Sequence, residues 1–75
     1  MKKHPRISIN PGVMVGKPVI KGTRLPVEFI IGLMADEWAY QDIIDSYPGV
    51  EREDVFACLA YAREALVLQW RPTKN

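Results

Sequence analysis

One short stretch of the chain, residues 16–26 with the sequence GKPVIKGTRLP, constrains the possible folds more than any other. It holds two glycines, two prolines, three cations and the β-favouring pair Val19-Ile20 within eleven residues. Glycine and proline interrupt regular structure, and Gly22 can take a positive φ at no steric cost. Every segment after this stretch has a helical pattern. We therefore interpret it as the hinge between an extended N-terminal arm and a helical body.

The arm before the hinge has the pattern of short β-strands. Residues 6–9 alternate polar and apolar side chains and are followed by Asn10-Pro11-Gly12, which favours a turn, so a strand is predicted to end there. Residues 13–15 fit either a second strand or an extended loop, and Val19-Ile20 is the next strand candidate. Strands this short must pair with one another or with a second protomer to be stable.

Three helices are predicted after Pro26, which suits the first turn of a helix because its missing N–H costs nothing there. Apolar residues then recur at helical spacing, in segments from Val27 to about Glu37, from Tyr40 to Tyr47, and from near Glu51 to about Gln69. The predicted fold class is α+β and mostly helical, with short N-terminal β-strands followed by a three-helix, helix-turn-helix-like bundle. The side chains expected to face inward are Val27, Ile30, Ile31, Met34, Trp38, Tyr40, Ile43, Ile44, Tyr47, Val55, Cys58, Leu59, Ala62, Ala65 and Leu66.

The chain has the length of one domain, which we divide into a basic β arm (1–25), a three-helix body (26–70) and a frayed tail (71–75). A chain of 75 residues is near the lower limit for a lone hydrophobic core, so a homodimer is expected. The third helix, on the order of 27 Å, is long for so small a domain. Its C-terminal end is expected to project beyond the core and to bind a protein partner through Val67, Leu68 and Trp70.

Charge is distributed unevenly along the chain. Residues 1–24 carry six cations and no carboxylate, whereas residues 25–70 carry nine carboxylates against two arginines, a net charge of −7. Such asymmetry is typical of proteins that bind nucleic acid or another polyanion. It is equally expected if the basic arm folds against the acidic body, within one protomer or across a dimer. The sequence leaves both interpretations open.

Lys17, Lys21 and Arg24 are the candidate nucleic-acid-binding residues. They lie three or four residues apart in a glycine-rich segment whose backbone N–H groups can also meet phosphate. If the arm neutralised about six phosphates, the log-log dependence of DNA affinity on salt would have a slope of roughly −5. The alternative is that Arg24 pairs with a carboxylate of the body while the two lysines are solvated.

A second nucleic-acid hypothesis concerns the third helix. A helix, a tight turn at Pro48-Gly49 and a longer helix are typical of helix-turn-helix proteins that bind DNA. The longer helix, however, opens with Glu51-Arg52-Glu53-Asp54. Three carboxylates there suit the helix dipole but repel phosphate. The sequence therefore argues against DNA recognition by this helix.

Nucleotide hydrolysis is not expected, although residues 12–17 (GVMVGK) superficially resemble a phosphate-binding Walker loop. Three residues separate the two glycines where four are needed, and Pro18 stands where Ser or Thr would hold magnesium. No helix is predicted to begin at this point. We therefore reject a nucleotide-binding role for these residues.

No other residue pattern favours catalysis or metal binding. His4, the only histidine, has no cysteine or carboxylate at ligand spacing, and Cys58 lies on an apolar helix face where a small hydrophobic residue fits. The carboxylate pairs of the helices are expected to face solvent rather than to act as an acid and a base. The expectation is a non-enzymatic protein with no metal and no cofactor. The pairs in question are Asp42 with Asp45 and Glu53 with Asp54.

The N-terminus argues for a cytoplasmic location. It is basic, is interrupted by Pro5 and Arg6, and is not followed by the apolar core of a signal peptide. No apolar run is long enough to span a membrane. The single cysteine agrees with a reducing compartment. We expect a cytoplasmic protein that does not contact membranes.

Three segments, INPGVMVGKPVIKGTRLPVEFI, DIIDSYPGV and EDVFACLAYAREAL, together resemble the small family known as domain of unknown function 433. The resemblance covers about Ile7 to Leu66, nearly the whole chain. Ala39 and Glu51 depart from it, because they stand near helix starts where Ser or Thr caps are common in such sequences. The motif positions are Gly16, Lys17, Pro18, Gly22, Thr23, Arg24, Pro26, Tyr47 and Pro48.

The resemblance implies a strand-plus-three-helix fold of the helix-turn-helix-like kind, usually dimeric. It further implies an antitoxin of a toxin–antitoxin pair whose partner is a PIN-like ribonuclease toxin, with operator DNA as a further ligand. It transfers no catalytic residues. Two alternatives stay open: a homodimeric protein-interaction module with no nucleic-acid role, and a helix-turn-helix transcriptional regulator.

Overall fold

The computed structural model describes residues 4–12 and 14–69. These residues form β1 (Ile7–Ile9), a 3-10 turn (Met14–Gly16), β2 (Pro18–Ile20), α1 (Val27–Ala35), α2 (Tyr40–Ser46) and α3 (Arg52–Gln69). Two short antiparallel strands precede three helices, so the predicted α+β, mostly helical class is confirmed. Of the two options for residues 13–15, the second strand is wrong where the chain is described, because Met14–Gly16 forms the 3-10 turn.

The sheet is a hairpin that brings the hinge back onto the arm. Ile7 pairs with Ile20 and Ile9 with Pro18, and β2 also touches Pro26 through an isolated bridge from Val19. Both Val19 and Ile20 are buried, because β2 lies between β1 and the start of α1. The predicted hinge therefore contains a buried strand, β2, followed by a turn.

The core lies where β2 meets the three helices. Helix α3 packs against α1, α2 and β1. Five of the core positions were predicted to face inward from helical spacing, because buried side chains must recur on one face of an amphipathic helix. The buried residues of this core are Ile20, Val27, Ile30, Ile43, Val50, Val55 and Cys58.

Helix α1 ends two residues earlier than predicted, in a Schellman motif. The Trp38 N–H donates to the Leu33 carbonyl (3.0 Å) and the Glu37 N–H to the Met34 carbonyl (3.0 Å). Glu37 occupies the left-handed position of the motif, with φ 73°. Glycine usually holds that position, so the sequence carried no signal for this helix end.

Two predicted core residues lie at the surface instead. The side chain of Tyr40 is 38% exposed and that of Leu66 is 66% exposed. Tyr40 begins α2 and packs its ring against Phe56 on the outside of the bundle. Leu66 is exposed because α3 runs past the body: none of residues 59–69 of this helix is buried. Helical periodicity indicates a face, but not where the opposing core ends.

Within the part of the chain that the structure covers, no helix is both long enough and apolar enough to cross a membrane.

Candidate binding surfaces

The basic arm is attached to the acidic body through Arg6. Its Nη1 donates to Asp54 Oδ1 at 2.9 Å and to Glu51 Oε1 at 3.2 Å. The hydrogen bond to Asp54, then that to Glu51, raises the pKa of Arg6 above its ordinary value. Of the two interpretations of the charge asymmetry, the structure shows arm-to-body pairing within one protomer for this residue.

Asp54 is the buried acceptor of this attachment, with only 6% of its surface exposed. Its second oxygen, Oδ2, accepts the Glu51 N–H at 2.8 Å and so caps the start of α3. Asp42 caps α2 in the same way by accepting the Ala39 N–H at 2.9 Å. Helices α2 and α3, which lack a Ser or Thr cap, therefore have a carboxylate at the third helical position that satisfies one free backbone donor.

These carboxylates were expected to face solvent, and this is wrong for Asp54, which is buried. Residue pairs Ala39/Asp42 and Glu51/Asp54 have the spacing of the reciprocal half of a capping box, which was the available signal. Since Arg6 pairs with both Glu51 and Asp54, its single positive charge offsets one of the three negative charges that argued against phosphate contact at α3.

The predicted phosphate-binding cations do not form one cluster. Lys17 precedes β2 and donates to Glu28 Oε2 at 3.1 Å, whereas Lys21 follows β2. Lys17 and Lys21 are four residues apart along an extended segment, so their Cα atoms are separated by about 13 Å. Lys21 and Arg24 are exposed, and neither makes an ion pair with another described residue. The suggested pairing of Arg24 with a body carboxylate is therefore absent among these residues, and Lys17 has such a partner instead.

Thr23 holds the turn that presents these two free cations. Its Oγ1 donates to the Ile20 carbonyl at 2.7 Å and accepts the Leu25 N–H at 3.0 Å. Gly22 has φ 82°, a conformation that glycine adopts without strain. The turn is thus ordered by its own hydrogen bonds, with Lys21 and Arg24 on its outer side.

The C-terminal half of α3 carries consecutive exposed apolar side chains. Val67 and Leu68, two of the predicted partner-binding residues, are 62% and 56% exposed, and Leu66 joins them. Trp70, the third predicted residue, lies outside the described residues. An open groove of about 370 Å³ between α3, α1 and β2 lies on the Leu66 side. A second groove, of about 360 Å³, lies on the Leu68 side and includes Ile9.

His4 packs against this same half of α3. Its Nε2 lies 2.8 Å from Glu64 Oε1, and its ring meets the Tyr61 ring edge-on at a centroid distance of 5.2 Å. The contact spans 60 residues of sequence, so no local pattern could have indicated it.

Cys58 is fully buried, as expected for a small hydrophobic residue. Burial, with a smaller contribution from the charge of Asp54, raises the pKa of its thiol to about 12. A thiol held neutral in this way is a poor nucleophile, because the thiolate is the reactive form. Among the described residues, no group of three or more His, Cys, Asp or Glu side chains has the arrangement of a metal site.

Comparisons with known proteins identify relatives by family and fold. The family model described as "Protein of unknown function (DUF433)" matches residues 7–62. A crystal structure of a DUF433 member protein from Anabaena variabilis is similar to this chain, with a TM-score of 0.78 and 28% sequence identity. The similarity covers 84% of this chain and 62% of that protein, so the chain spans less than two thirds of its length. A search of curated proteins finds no significant match.

Proposed function

Because the chain belongs to the DUF433 family of proteins of unknown function, we propose that its role is to bind a protein, as the antitoxin-like component of a toxin–antitoxin pair. The partner in this proposal is a PIN-like ribonuclease, and the chain itself is a non-enzymatic, cytoplasmic homodimer. The binding residues are Val67 and Leu68, with Trp70 beyond the described residues.

One observation carries the proposal: three consecutive apolar residues near the end of α3 are each more than half exposed. Leu66, Val67 and Leu68 expose 66%, 62% and 56% of their surface. Consecutive residues of an α-helix lie about 100° apart, so these three face directions that span about 200°. Exposed apolar surface of this extent is typical of a protein-binding site.

Carboxylates grouped on the surface of the body favour a role in which the chain inhibits the ribonuclease over one in which it only binds it. Glu37, Asp42 and Asp45 line one open pocket beside Trp38. Carboxylates on this side of the body can compete with the phosphates of RNA for a basic active site, because complementary charges select partners. The ribonuclease assignment itself follows the family resemblance.

The test is affinity capture of the tagged full-length chain from its own cells, with and without nuclease treatment. We expect a small nuclease to be captured in stoichiometric amounts under both conditions, and its cleavage of RNA to be inhibited by the purified chain. The variant Leu68→Glu should weaken the complex by about tenfold or more, because it buries an unpaired charge. Val15→Asn is the matched control, since Val15 is 94% exposed but lies outside α3.

Recovery of the chain alone, without protein or nucleic acid, would contradict the proposal and favour a self-associating module. Light scattering on the purified chain tests the homodimer separately. A monomer at micromolar concentration would remove that part of the proposal while leaving the partner experiment intact.

DNA binding by the arm is the second candidate function. The observation that favours it is that Lys21 and Arg24 are exposed on an ordered turn without an ion-pair partner among the described residues. Such cations are available for phosphate without the loss of an existing salt bridge.

A further inference from the structure

The outward surface where α2 meets α3 carries an arginine stacked on two aromatic rings. The guanidinium carbon of Arg52 lies 4.7 Å from the centroid of the Phe56 ring and 5.6 Å from that of the Tyr40 ring. The two rings lie 5.7 Å apart. Phe56 is 41% exposed and Tyr40 38% exposed, so the cluster faces solvent.

The rings contact the guanidinium carbon of Arg52, and none of its N–H donors hydrogen-bonds to a described residue. The N–H donors of arginine lie in the guanidinium plane, where they match the two oxygens of a carboxylate. Arg52 has no ion pair with a described residue, whereas Arg6 contacts two carboxylates. The rings also restrict the side chain before any ligand arrives, which lowers the entropy lost on binding.

A second free arginine lies on the same face of α3. Positions 52, 56, 60 and 63 recur at spacings of four, four and three and are all exposed, so they form one stripe along the helix. Arg63 likewise makes no ion pair with a described residue. Eleven residues of helix place the two arginines about 16 Å apart along the axis, with Phe56 and Ala60 between them. Val67 is the next position at this spacing, so the stripe adjoins the proposed partner site without sharing a residue.

We propose that this stripe, together with Tyr40, is a docking surface for a peptide segment of a protein that carries carboxylates beside an apolar residue. The arginine edges bind the carboxylates, and the apolar residue packs on the exposed parts of the two rings and on Ala60. Tryptophan, tyrosine and arginine are enriched among the residues that contribute most of the binding energy at protein interfaces.

Charge and geometry favour a peptide over nucleic acid here. The stripe offers two cations about 16 Å apart along the helix, and Glu53 next to Arg52 repels a continuous phosphate backbone. Base stacking needs open ring faces. Arg52 covers one side of both rings.

The test is selection of a random peptide library displayed on phage against the immobilised full chain. Selected peptides are then synthesised, and their affinities are measured by fluorescence anisotropy. We expect Asp or Glu beside an apolar or aromatic residue to be enriched. Arg52→Gln should weaken binding about tenfold or more, and Arg52→Lys should also weaken it, because lysine lacks the planar pair of donors. Asp36→Asn is the control, a change of an exposed charged residue outside the stripe and outside the other proposed binding sites, and should leave affinity unchanged.

A purely structural role for the stack predicts a different pattern. Arg52→Gln would then lower the melting temperature and leave peptide affinity unchanged. Arg63→Gln keeps the stack intact, so a loss of peptide affinity in this variant at unchanged melting temperature supports docking. The proposal is overturned if no acidic peptide is selected, if both glutamine variants bind like the wild type, or if a single-stranded oligonucleotide displaces the peptide. The peptide assay uses the purified chain alone, so this surface can be tested whether or not the ribonuclease proposal holds.

Discussion

Asp54 uses both of its oxygens although it is buried. One accepts the Glu51 N–H at the start of α3, and the other accepts from Arg6 of the arm, 48 residues away in sequence. Its carboxylate therefore caps a helix and anchors the arm to the body at the same time. Buried polar groups arranged in this way are costly to disturb, because removing one partner leaves the others unsatisfied.

We predict that Asp54→Ala lowers the free energy of unfolding by about 2 kcal/mol or more, since both a charged hydrogen bond and a helix cap are lost. Urea denaturation followed by circular dichroism measures this change. Glu53→Ala is the control: Glu53 is exposed, and its replacement should change stability by no more than about 0.5 kcal/mol. Equal effects of the two substitutions would show that the Asp54 contacts contribute nothing.

Burial of the Cys58 thiol predicts a pH dependence. Its pKa is raised from 9.0 to about 12 in the folded chain, so between these values the folded state holds a proton that the unfolded state has released. The contribution of this thiol to the free energy of unfolding is therefore complete below pH 9. It declines as pH rises from about 9 to about 12, by up to about 1.4 kcal/mol per pH unit. Cys58→Val lacks this contribution. The wild type should lose stability with rising pH more steeply than the variant in urea titrations, and parallel curves would contradict the prediction.

The end of α1 shows how an element can stop without the usual residue. Glu37 completes the Schellman motif with φ 73°. In this left-handed conformation an L-residue is disfavoured by roughly 1–2 kcal/mol, whereas glycine, which has no Cβ, is not. Part of this is offset in a glycine variant by the greater freedom of the unfolded chain.

We therefore predict that Glu37→Gly raises the free energy of unfolding by about 0.5–1 kcal/mol. Thermal unfolding and urea denaturation both report this gain. Ala35→Gly, two residues earlier and still helical, is the paired control and should destabilise by about 0.5–1 kcal/mol. A loss of stability in both variants would mean that Glu37 is not held in the left-handed conformation.

In the folded molecule, the positive charges of the arm and the negative charges of the body are less separated than they are along the sequence. Arg6 and Lys17 of the arm are already paired with carboxylates of the body. Among the described arm cations this leaves Lys21 and Arg24 for phosphate.

If the arm binds DNA, we predict a log-log salt slope of about −2 rather than the −5 expected from sequence, because each neutralised phosphate contributes about −0.9. Anisotropy of a labelled duplex across a series of salt concentrations gives this slope. A double variant with Lys21→Gln and Arg24→Gln should abolish it. Lys17→Gln should change it little. A slope near about −4 would show that Arg6 and Lys17 also release their carboxylate partners and contact phosphate.

Local patterns predicted much of the architecture. The three helices, the two strands and five buried helical residues followed from apolar spacing, since a residue's neighbours within one or two turns determine which face it shares. Exposure of Val67 and Leu68 was also expected from the length of α3. Leu66 was predicted to face the core but is exposed. The partner-binding and nucleic-acid roles assigned to these surfaces remain predictions.

Long-range contacts were beyond the reach of such patterns. Arg6 meets Asp54, His4 meets Glu64, and Lys17 meets Glu28 only because the hairpin folds back across the helices. Periodicity, helix breakers and charge therefore fixed the kind of elements and their order, because these depend on short stretches of backbone. Which cations stay free, which carboxylate is buried and where α3 leaves the core depend on the packing of distant segments, and that information is spread over the whole chain.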